Sequence, residues 1–495
     1  MTGSVARARH ALASGDFSGL LATRLLSQFA DGLFQAYLVA QIVFLNPEKH
    51  NTAIGVAKAY AVLVIPFSVV GPLSGVLIDR WSRRRILIVS PLVKLAGVLA
   101  LLPVAGSSLY LYVPALLVIS VNRFFLTAAT SSIPVLVEDR DLLMANSLST
   151  VGGTVVTFIG IVAGTKLVDP IGPRSLLLIT AACWAGTALV ATRISVSLRP
   201  ERPPAPMAGE LARVLHDLRA GAKRLVATPL AIGPITSISL DQFLVGFITV
   251  LSLVVFKQRF HQGVGSYGNI VAAGGAGVLA GTLTVGFFES RMAKPRITAM
   301  AFALAGLACV AVAPAITGIT ILVLSFVLGL TFAWRKIPVD TMVQEAVPDR
   351  YRGRVFAVYD ITYSMARVVA AGLAIPIIPR VSTGWLVFAT GAAYLLWTPV
   401  LPRWVRRPVR LRIRFYAGGR ADEVPRAIVV AGEEEPVEVV GSWSEERDGV
   451  RVRRFRLRAD GDLVDVVGTE SEETWEVERR VPSGAKPDGA GAGFR

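Results

Sequence analysis

The segment "GVLIDRWSRRRIL", residues 75–87, decides the fold. Four arginines, an aspartate, a serine and a tryptophan lie here in a short gap between two long apolar runs. Clusters of Lys and Arg are typical of loops on the inner face of a membrane. The segment therefore predicts a short cytoplasmic loop that joins two membrane-spanning helices.

The composition of the whole chain agrees with a membrane protein. The chain has 495 residues, of which 53% are hydrophobic and 17% are charged, and its mean hydropathy is +0.57. A soluble domain is closer to about a quarter charged. Apolar runs of about 20 residues, enough to cross a bilayer, recur along the first 400 positions or so. Only helices satisfy the backbone in such runs, so we predict an all-α membrane protein.

Twelve spanning helices are predicted, in two six-helix repeats. Their ranges are 18–45, 52–78, 86–106, 109–137, 145–168, 174–195, 230–256, 266–288, 297–316, 319–346, 355–379 and 384–402. The gaps after spans two, six, eight and ten carry most of the Lys and Arg, whereas those after spans three and nine carry no charge. This asymmetry predicts a multi-pass protein of the cytoplasmic membrane with both termini in the cytosol.

The gap after span six is long, and it continues as a basic amphipathic helix suited to the inner membrane surface. From residue 406 the pattern changes, because "VRLRIRF" (409–415) alternates as a half-buried strand does. Further alternating runs follow, with Asp-Gly turn signals at 448–449 and 460–461. We therefore predict a small antiparallel β module in the cytosol. The predicted domains are a cytoplasmic N-terminus (1–17), a six-helix bundle (18–195), the linker (196–229), a second bundle (230–405), the β module (406–481) and a disordered tail (482–495).

The two halves repeat at an offset of 210 positions. This offset places Asp31 on Asp241 and Asp79 on Glu289. It recurs at equivalent places in spans one, two and four. Such parallel duplication is a pattern of many transporters.

The opening segment resembles the loop signature of the major facilitator superfamily, a glycine, an aspartate–basic pair and a basic cluster. The matching residues are Gly75, Asp79, Arg80, Arg83 and Arg84. Ser82 stands where the family usually has glycine. The segments "PVLVEDRDLLMANSL" (134–148) and "VQEAVPDRYRGRVFA" (343–357) are similar to the family's other cytoplasmic connections. The resemblance covers all twelve spans but not the β module, and it implies transport by alternating access.

The resemblance also implies a role for the loop. In the family, the aspartate equivalent to Asp79 meets the cytoplasmic end of span eleven, a helix N-terminus whose partial positive charge favours a carboxylate. Gly75 permits close helix packing, and the arginines pair with Asp79 or with lipid phosphate. The loop would then form a breakable latch on the cytoplasmic side. A purely topogenic arginine cluster is the alternative, but it does not explain Gly75 or Asp79.

Charges within the spans are costly and mark candidate functional sites, because each costs about 2.5–3.5 kcal/mol at a helix centre. Asp31 and Arg123 share one depth, and Asp241 shares a depth with Arg335 or Lys336. The family resemblance places spans one, four, seven and ten around a central cavity. We therefore predict two acid–base pairs that face this cavity.

The two acids are predicted to exchange protons, and Asp31 is the stronger candidate. Two permanent structural ion pairs are the alternative. Arg367, in the middle of span eleven, is a further candidate for contact with substrate or with Asp241. Arg24 and Lys94 are predicted to reach a membrane surface with their long side chains. Pairing with a loop acid is the alternative for Lys94. Candidate polar contacts to substrate, or else contacts between helices, are Gln28, Gln35, Asn122, Gln242, Tyr359 and Tyr363.

These features favour a proton-coupled secondary transporter, most simply an exporter (antiporter) of a small amphiphilic compound. An uptake or facilitative carrier is the first alternative, and a membrane-anchored sensor or scaffold that acts through the β module is the second. Two departures weaken the exporter interpretation: Ile161 stands where exporters have proline in span five, and the polar motif around Arg123 is reduced. No GxxxxGK[ST] loop is present, so ATP is not the direct energy source.

The expected partners are substrate, protons and membrane lipid. We expect a monomer that is not an enzyme and has no cofactor, no metal site, no catalytic residues and no nucleic-acid partner.

Overall fold

The computed structural model describes residues 10, 12–41, 81–103, 108–138, 141–195, 207–258 and 264–405, together with six strands between 409 and 481. The helices are α1 (Gly15–Val39), α2 (Arg83–Leu99), α3 (Ser108–Leu136), α4 (Leu142–Ala191), α5 (Met207–Val226), α6 (Pro229–Gln258), α7 (Val264–Glu289), α8 (Lys294–Val312), α9 (Gly318–Ala346), α10 (Asp349–Ile377), α11 (Thr383–Trp397) and α12 (Val400–Val405).

Seven of the described helices, α3, α4 and α6–α10, are long and apolar enough to cross a membrane. The mostly helical, multi-pass architecture is therefore confirmed for this part of the chain. The predicted second span, 52–78, lies outside the described residues, and α11 is an apolar helix of only 15 residues. The total of twelve spans stays a prediction.

The longest helix, α4, contains two of the predicted spans. Its 50 residues would extend about 75 Å if straight, more than twice the thickness of a hydrocarbon core. Gly172 interrupts it with a φ of 77°, a left-handed conformation that glycine adopts without steric cost. The break lies between predicted spans five and six, with Pro170 and Pro173 beside it.

Glycines bring α1 and α4 into backbone contact. A Cβ at Gly32 would meet the carbonyl oxygen of Thr157, and one at Gly160 would meet the carbonyl oxygen of Phe29. Small residues allow this closeness between helices that have no hydrophobic driving force in lipid. The contact fixes α1, which carries Asp31, against α4.

Six antiparallel strands follow the helices: β1 (Val409–Tyr416), β2 (Val424–Val430), β3 (Glu433–Arg447), β4 (Val450–Ala459), β5 (Asp462–Gly468) and β6 (Thr474–Val481). They pair in sequence order, and β1 also pairs with β6, which closes the sheet into a barrel. Its core is formed by Ile413, Ile428, Phe455, Leu457, Val464, Val466 and Trp475. The sequence predicted an antiparallel sheet here but not its closure.

The chain divides into two compact units. The first comprises Met1–His216, Ile238–Ile337 and Tyr359–Thr398, and the second comprises Asp217–Ser237, Pro338–Val358 and Pro399–Arg495. Within the second unit, Asp217 on α5 forms an ion pair of 2.9 Å with Arg354 on α10. Ala227, just after α5, packs against the core of the barrel.

Candidate functional site

Asp31 lies in the middle of α1 and forms a buried ion pair with Lys94 of α2. Lys94 Nζ is 2.8 Å from Asp31 Oδ1, and the two side chains are 0% and 7% exposed. Lys94 also donates hydrogen bonds to Asn122 Oδ1 at 2.7 Å and to Ser27 Oγ at 3.3 Å. All three ammonium hydrogens therefore have acceptors, which a buried lysine requires.

The second carboxylate oxygen of Asp31 is different. Asp31 Oδ2 is buried and accepts no well-formed hydrogen bond from the described residues, although the Trp184 side chain also acts on the Asp31 carboxylate. The rings of Phe125 and Trp184 lie 5.1 and 5.3 Å from Lys94 Nζ, so the cation is enclosed by aromatic faces. Within the described part of the chain, one carboxylate oxygen can therefore carry a proton without losing a well-formed hydrogen bond.

The predicted pairing of Asp31 with Arg123 is wrong. Asn122 faces Lys94, and the next residue on a helix points about 100° away around the axis. Arg123 is accordingly acted on by the charges of Asp360 and Arg367 on α10. Residue counting along a helix estimates depth but cannot give the direction in which Arg123 points.

Lys94 was missed because it was predicted to reach a membrane surface. It lies nine residues after Arg85, or about 14 Å along the helix, which is too far for its side chain to reach the loop. The prediction for Arg24 is also wrong. Arg24 is 6% exposed and donates to Ser149 Oγ at 2.8 Å and to Gln28 Oε1 at 3.2 Å.

In the second half, Asp241 of α6 pairs with Arg335 of α9. Arg335 Nη2 lies 2.8 Å from Asp241 Oδ1, and neither side chain is exposed. Tyr394 donates to the same oxygen at 3.0 Å, and Gln242 Nε2 donates to Oδ2 at 3.1 Å. Of the two cations predicted as possible partners, the geometry therefore selects Arg335. Unlike Asp31, Asp241 has a partner on both oxygens.

The two ion pairs occupy equivalent places in the repeat. The offset of 210 positions that relates Asp31 to Asp241 also relates Trp184 of α4 to Tyr394 of α11. Trp184 lies 5.3 Å from the ammonium of its half, and Tyr394 lies 5.2 Å from the guanidinium of its half. Each half thus encloses its aspartate's cation with an aromatic ring from the equivalent helix.

The cation itself changes helix between the halves. Phe125 of α3 is the repeat equivalent of Arg335 of α9, so a ring in one half replaces the cation of the other. Conversely, Lys94 of α2 lies within two positions of the equivalent of Phe302 of α8, whose ring is 5.3 Å from the Arg335 guanidinium. We call each cation with its two aromatic rings a cage. Both cages contain one cation and two rings, but the cation and one of the rings have exchanged helices between the halves.

A chain of polar contacts joins the second ion pair to a cavity. Gln242 donates to Asp241 through Nε2 and accepts from Arg367 Nε at 2.6 Å through Oε1. Arg367 Nη2 lies 3.5 Å from the hydroxyl of Tyr363. The cavity, of about 480 Å³, has Gln242 and Arg367 in its wall together with Gln35.

The remaining candidates divide between helix contacts and the cavity region. Gln28 donates to Thr157 Oγ1 at 3.4 Å, a contact between α1 and α4. Lys336 donates to the hydroxyl of Tyr359 at 3.1 Å, and its Nζ lies 5.4 Å from the ring of Tyr363.

The predicted cytoplasmic latch is only partly described. Gly75, Asp79 and Arg80 lie outside the described residues. Arg83 donates to the carbonyl of Ser131 at 2.7 Å, and Arg84 donates to the carbonyl of Thr192 at 3.0 Å. Both acceptors lie near helix C-termini, where positive charge is favoured.

Comparison with known proteins identifies the fold. The family model described as Major Facilitator Superfamily matches residues 20–371 and 235–445. Proteins of Mycobacterium tuberculosis and Mycobacterium bovis, each named as an uncharacterized MFS-type transporter, are 29% identical over 384 residues, 74% of this chain and 85% of theirs. A Bacillus subtilis protein of the same designation is 22% identical over 362 residues, 71% of this chain and 84% of its own.

Solved structures give the same result for the fold. A peptide transporter POT in complex with sulfate superposes with a TM-score of 0.65 at 13% identity, covering 79% of this chain and 95% of that one. A POT family transporter in complex with a thioalcohol-conjugated peptide gives a TM-score of 0.60 at 12% identity, with 79% and 96% covered.

Proposed function

Because the chain belongs to the major facilitator superfamily, and so is a multi-pass transporter of small molecules rather than an enzyme, we propose that it is a proton-coupled exporter with Asp31 as the proton site. The observation that carries this proposal is the buried Asp31–Lys94 pair, in which one carboxylate oxygen accepts no well-formed hydrogen bond from the residues that the structure describes. An intramembrane acid of this kind marks a proton pathway by default.

Protonation of Asp31 would remove half of a buried ion pair. The remaining ammonium would then lack its counter-charge, and leaving a buried charge unpaired costs about 3–5 kcal/mol. Relief of this cost requires Lys94 to move, to gain water or to lose its own proton. Since Lys94 is on α2 and Asp31 is on α1, the protonation state biases the packing of those two helices, which is what alternation needs.

Asp241 has a different role in the proposal. Tyr394, Gln242 and Arg335 occupy both of its oxygens, so a proton would displace an existing contact. We assign Asp241 to the link between the cavity and the helix bundle, through Gln242 and Arg367. Arg335 is the counter-charge of Asp241. Arg123, on which the charges of Asp360 and Arg367 act, is not part of the proposed proton site.

The orientation follows from the basic loops. The arginines after the predicted second, sixth, eighth and tenth spans favour a cytosolic position for these loops. Both termini and the β-barrel would then be cytosolic, in a protein of the cytoplasmic membrane. The loop of Gly75, Asp79 and Arg80 would close the cytoplasmic side, with Arg83 and Arg84 anchoring it to helix ends.

A facilitative carrier is the second candidate. The observation that favours it is the presence of a cation 2.8 Å from each buried aspartate, as in two permanent structural pairs. The two functions differ in whether Asp31 changes protonation during transport, so they are separable by experiment.

The test uses proteoliposomes with a pH-sensitive dye inside and a panel of small amphiphiles outside. Asp31→Asn is expected to abolish substrate-linked proton movement while substrate exchange without a gradient persists. The double variant Asp31→Asn/Lys94→Met restores charge balance and is the matched control for folding. Proton-linked flux that survives in the double variant would show that the pair is structural and would favour the facilitative carrier.

A further inference from the structure

The cavity has an apolar body and a single charged group in its described wall. Its volume is about 480 Å³, within the range of pockets that enclose a small molecule. Val245, Ile248, Val271 and Leu328 are typical of the lining, and they come from α6, α7 and α9. Arg367 of α10 supplies the charge.

Arg367 retains hydrogen-bonding capacity. A guanidinium has five N–H donors, and contacts with Gln242 and Tyr363 use two of them. No carboxylate lies within ion-pair distance of Arg367 among the residues that the structure describes. The planar donor fork of arginine matches the oxygens of carboxylates and phosphates better than any other side chain does.

The surroundings of Arg367 are also basic. The charges of Asp360 and Arg367 act on Arg123 with opposite sign. Lys336 and Arg367 both stack on Tyr363, at 5.4 and 5.5 Å from its ring.

We propose that the cavity binds an amphiphile with an anionic head group, the head on Arg367 and the apolar tail among the side chains of α6, α7 and α9. This inference names the substrate class and rests on the transport function proposed above. An anionic head is favoured because a cationic head would meet Arg367 in a medium of low dielectric constant, where like charges repel strongly. The tail is needed because the body of the cavity offers few hydrogen-bond partners to a polar molecule.

Binding to the full-length protein in neutral detergent tests this, with thermal stabilisation as the readout. The probes share one octyl chain and differ in the head: octanoate, octyl phosphate, octyltrimethylammonium and octyl glucoside, with inorganic phosphate as a head without a tail. We expect octanoate and octyl phosphate to stabilise the protein, and octyltrimethylammonium and inorganic phosphate to bind at least about tenfold more weakly. The stronger of the two anions identifies the head group.

Variants then locate the head group. Arg367→Gln is expected to weaken the anionic probes by about ten- to a hundredfold, the value of a charge-assisted hydrogen bond, and to leave octyl glucoside unchanged. Arg367→Lys should recover part of the loss. Arg291→Gln, at an exposed loop arginine, is the matched control, and the melting temperature without ligand reports folding.

Equal binding of octyltrimethylammonium and octyl phosphate would overturn the inference, and so would an Arg367→Gln variant with normal affinity for anions. The assay uses no proton gradient. If the protein bound anions as expected but showed no proton coupling, only the proposed proton coupling would be contradicted. Proton-coupled movement of a cationic or neutral amphiphile would contradict only the substrate class.

Discussion

Asp31 and Lys94 meet at 2.8 Å between α1 and α2 with almost no exposure of either side chain. Removing one partner leaves the other charge buried. Lys94→Met should therefore destabilise the protein by about 3–5 kcal/mol. Asp31→Asn/Lys94→Met, which removes both charges, should regain most of that loss. Denaturant unfolding in neutral detergent measures both variants, and a double variant no more stable than Lys94→Met would contradict the expectation.

The sequence predicts how deep a side chain lies along its helix, but not the direction in which the side chain points. Counting residues along a helix estimates the depth of each side chain, and equal depth gave Arg335 and Lys336 as candidate partners of Asp241. The structure pairs Asp241 with Arg335. The same count paired Asp31 with Arg123, because it carries no information on rotation about the helix axis. The neighbour of Arg123, Asn122, is the residue that points to Lys94.

The C-terminal sheet shows the corresponding limit for strands. Alternation along β1 identified the strand and its buried side, where Ile413 lies. Closure of the barrel depends on pairing of β1 with β6, for example Leu411 opposite Trp475. Strands so far apart in sequence leave no periodic signal of their pairing.

A second prediction concerns the contact between α1 and α4. Gly160→Leu would place a side chain against the carbonyl oxygen of Phe29 and force the helices apart. We expect loss of the folded protein, or a destabilisation of at least about 1–3 kcal/mol from overpacking. Gly286→Leu is the control, because a Cβ there has nothing within 4 Å. Size-exclusion profiles and melting temperatures compare the two, and equal behaviour would show that close packing at Gly160 is unimportant.

A third prediction concerns the bridge that Gln242 forms between Arg367 and Asp241. Gln242→Leu keeps the approximate volume but breaks the bridge between Arg367 and Asp241. We expect proton-linked flux to fall by at least about tenfold, because the loss of a bridging partner leaves a buried polar group unsatisfied on each side. Gln35→Leu, at the other glutamine of the cavity wall, should retain coupling. Comparable loss in both variants would argue against a specific bridge.

A fourth prediction tests what holds the barrel. Arg456 and Asp465 face each other on β4 and β5 with Nε 2.7 Å from Oδ1, yet the arginine side chain is 43% exposed. Arg456→Ala should cost about 0–1 kcal/mol. Leu457→Ala, at a side chain that is 0% exposed, should cost about 2–5 kcal/mol. Protection of barrel amides from hydrogen exchange distinguishes the two.

The same pair predicts little pH dependence. Hydrogen bonding to Asp465 raises the pKa of the Arg456 guanidinium above its ordinary value. A basic group whose pKa is higher in the folded state than in the unfolded state stabilises the fold. This stabilisation is complete at a pH below the unfolded-state pKa, and it is lost only as the pH rises past the folded-state pKa. Arg456 should therefore contribute equally from neutral to moderately alkaline pH, where the Asp465 carboxylate is ionised. Loss of barrel protection between pH 7 and pH 9 that Arg456→Ala abolishes would contradict this.

The last prediction follows from the exchange of cation and ring between the two halves. Phe125 of α3 occupies the place that Arg335 occupies in the second half, and its ring lies over the ammonium that neutralises Asp31. A cation at position 125 should therefore reach Asp31 from the other side of the cage. Lys94→Leu/Phe125→Lys moves the positive charge between these helices without changing the net charge. We expect the double variant to melt higher than Lys94→Leu, because Asp31 regains a partner. Phe125→Lys alone is the control, since it adds a second cation beside Lys94 and should destabilise. If the double variant were no more stable than Lys94→Leu, the two cages would share composition but not geometry, and the duplication would not extend to the way each half neutralises its aspartate.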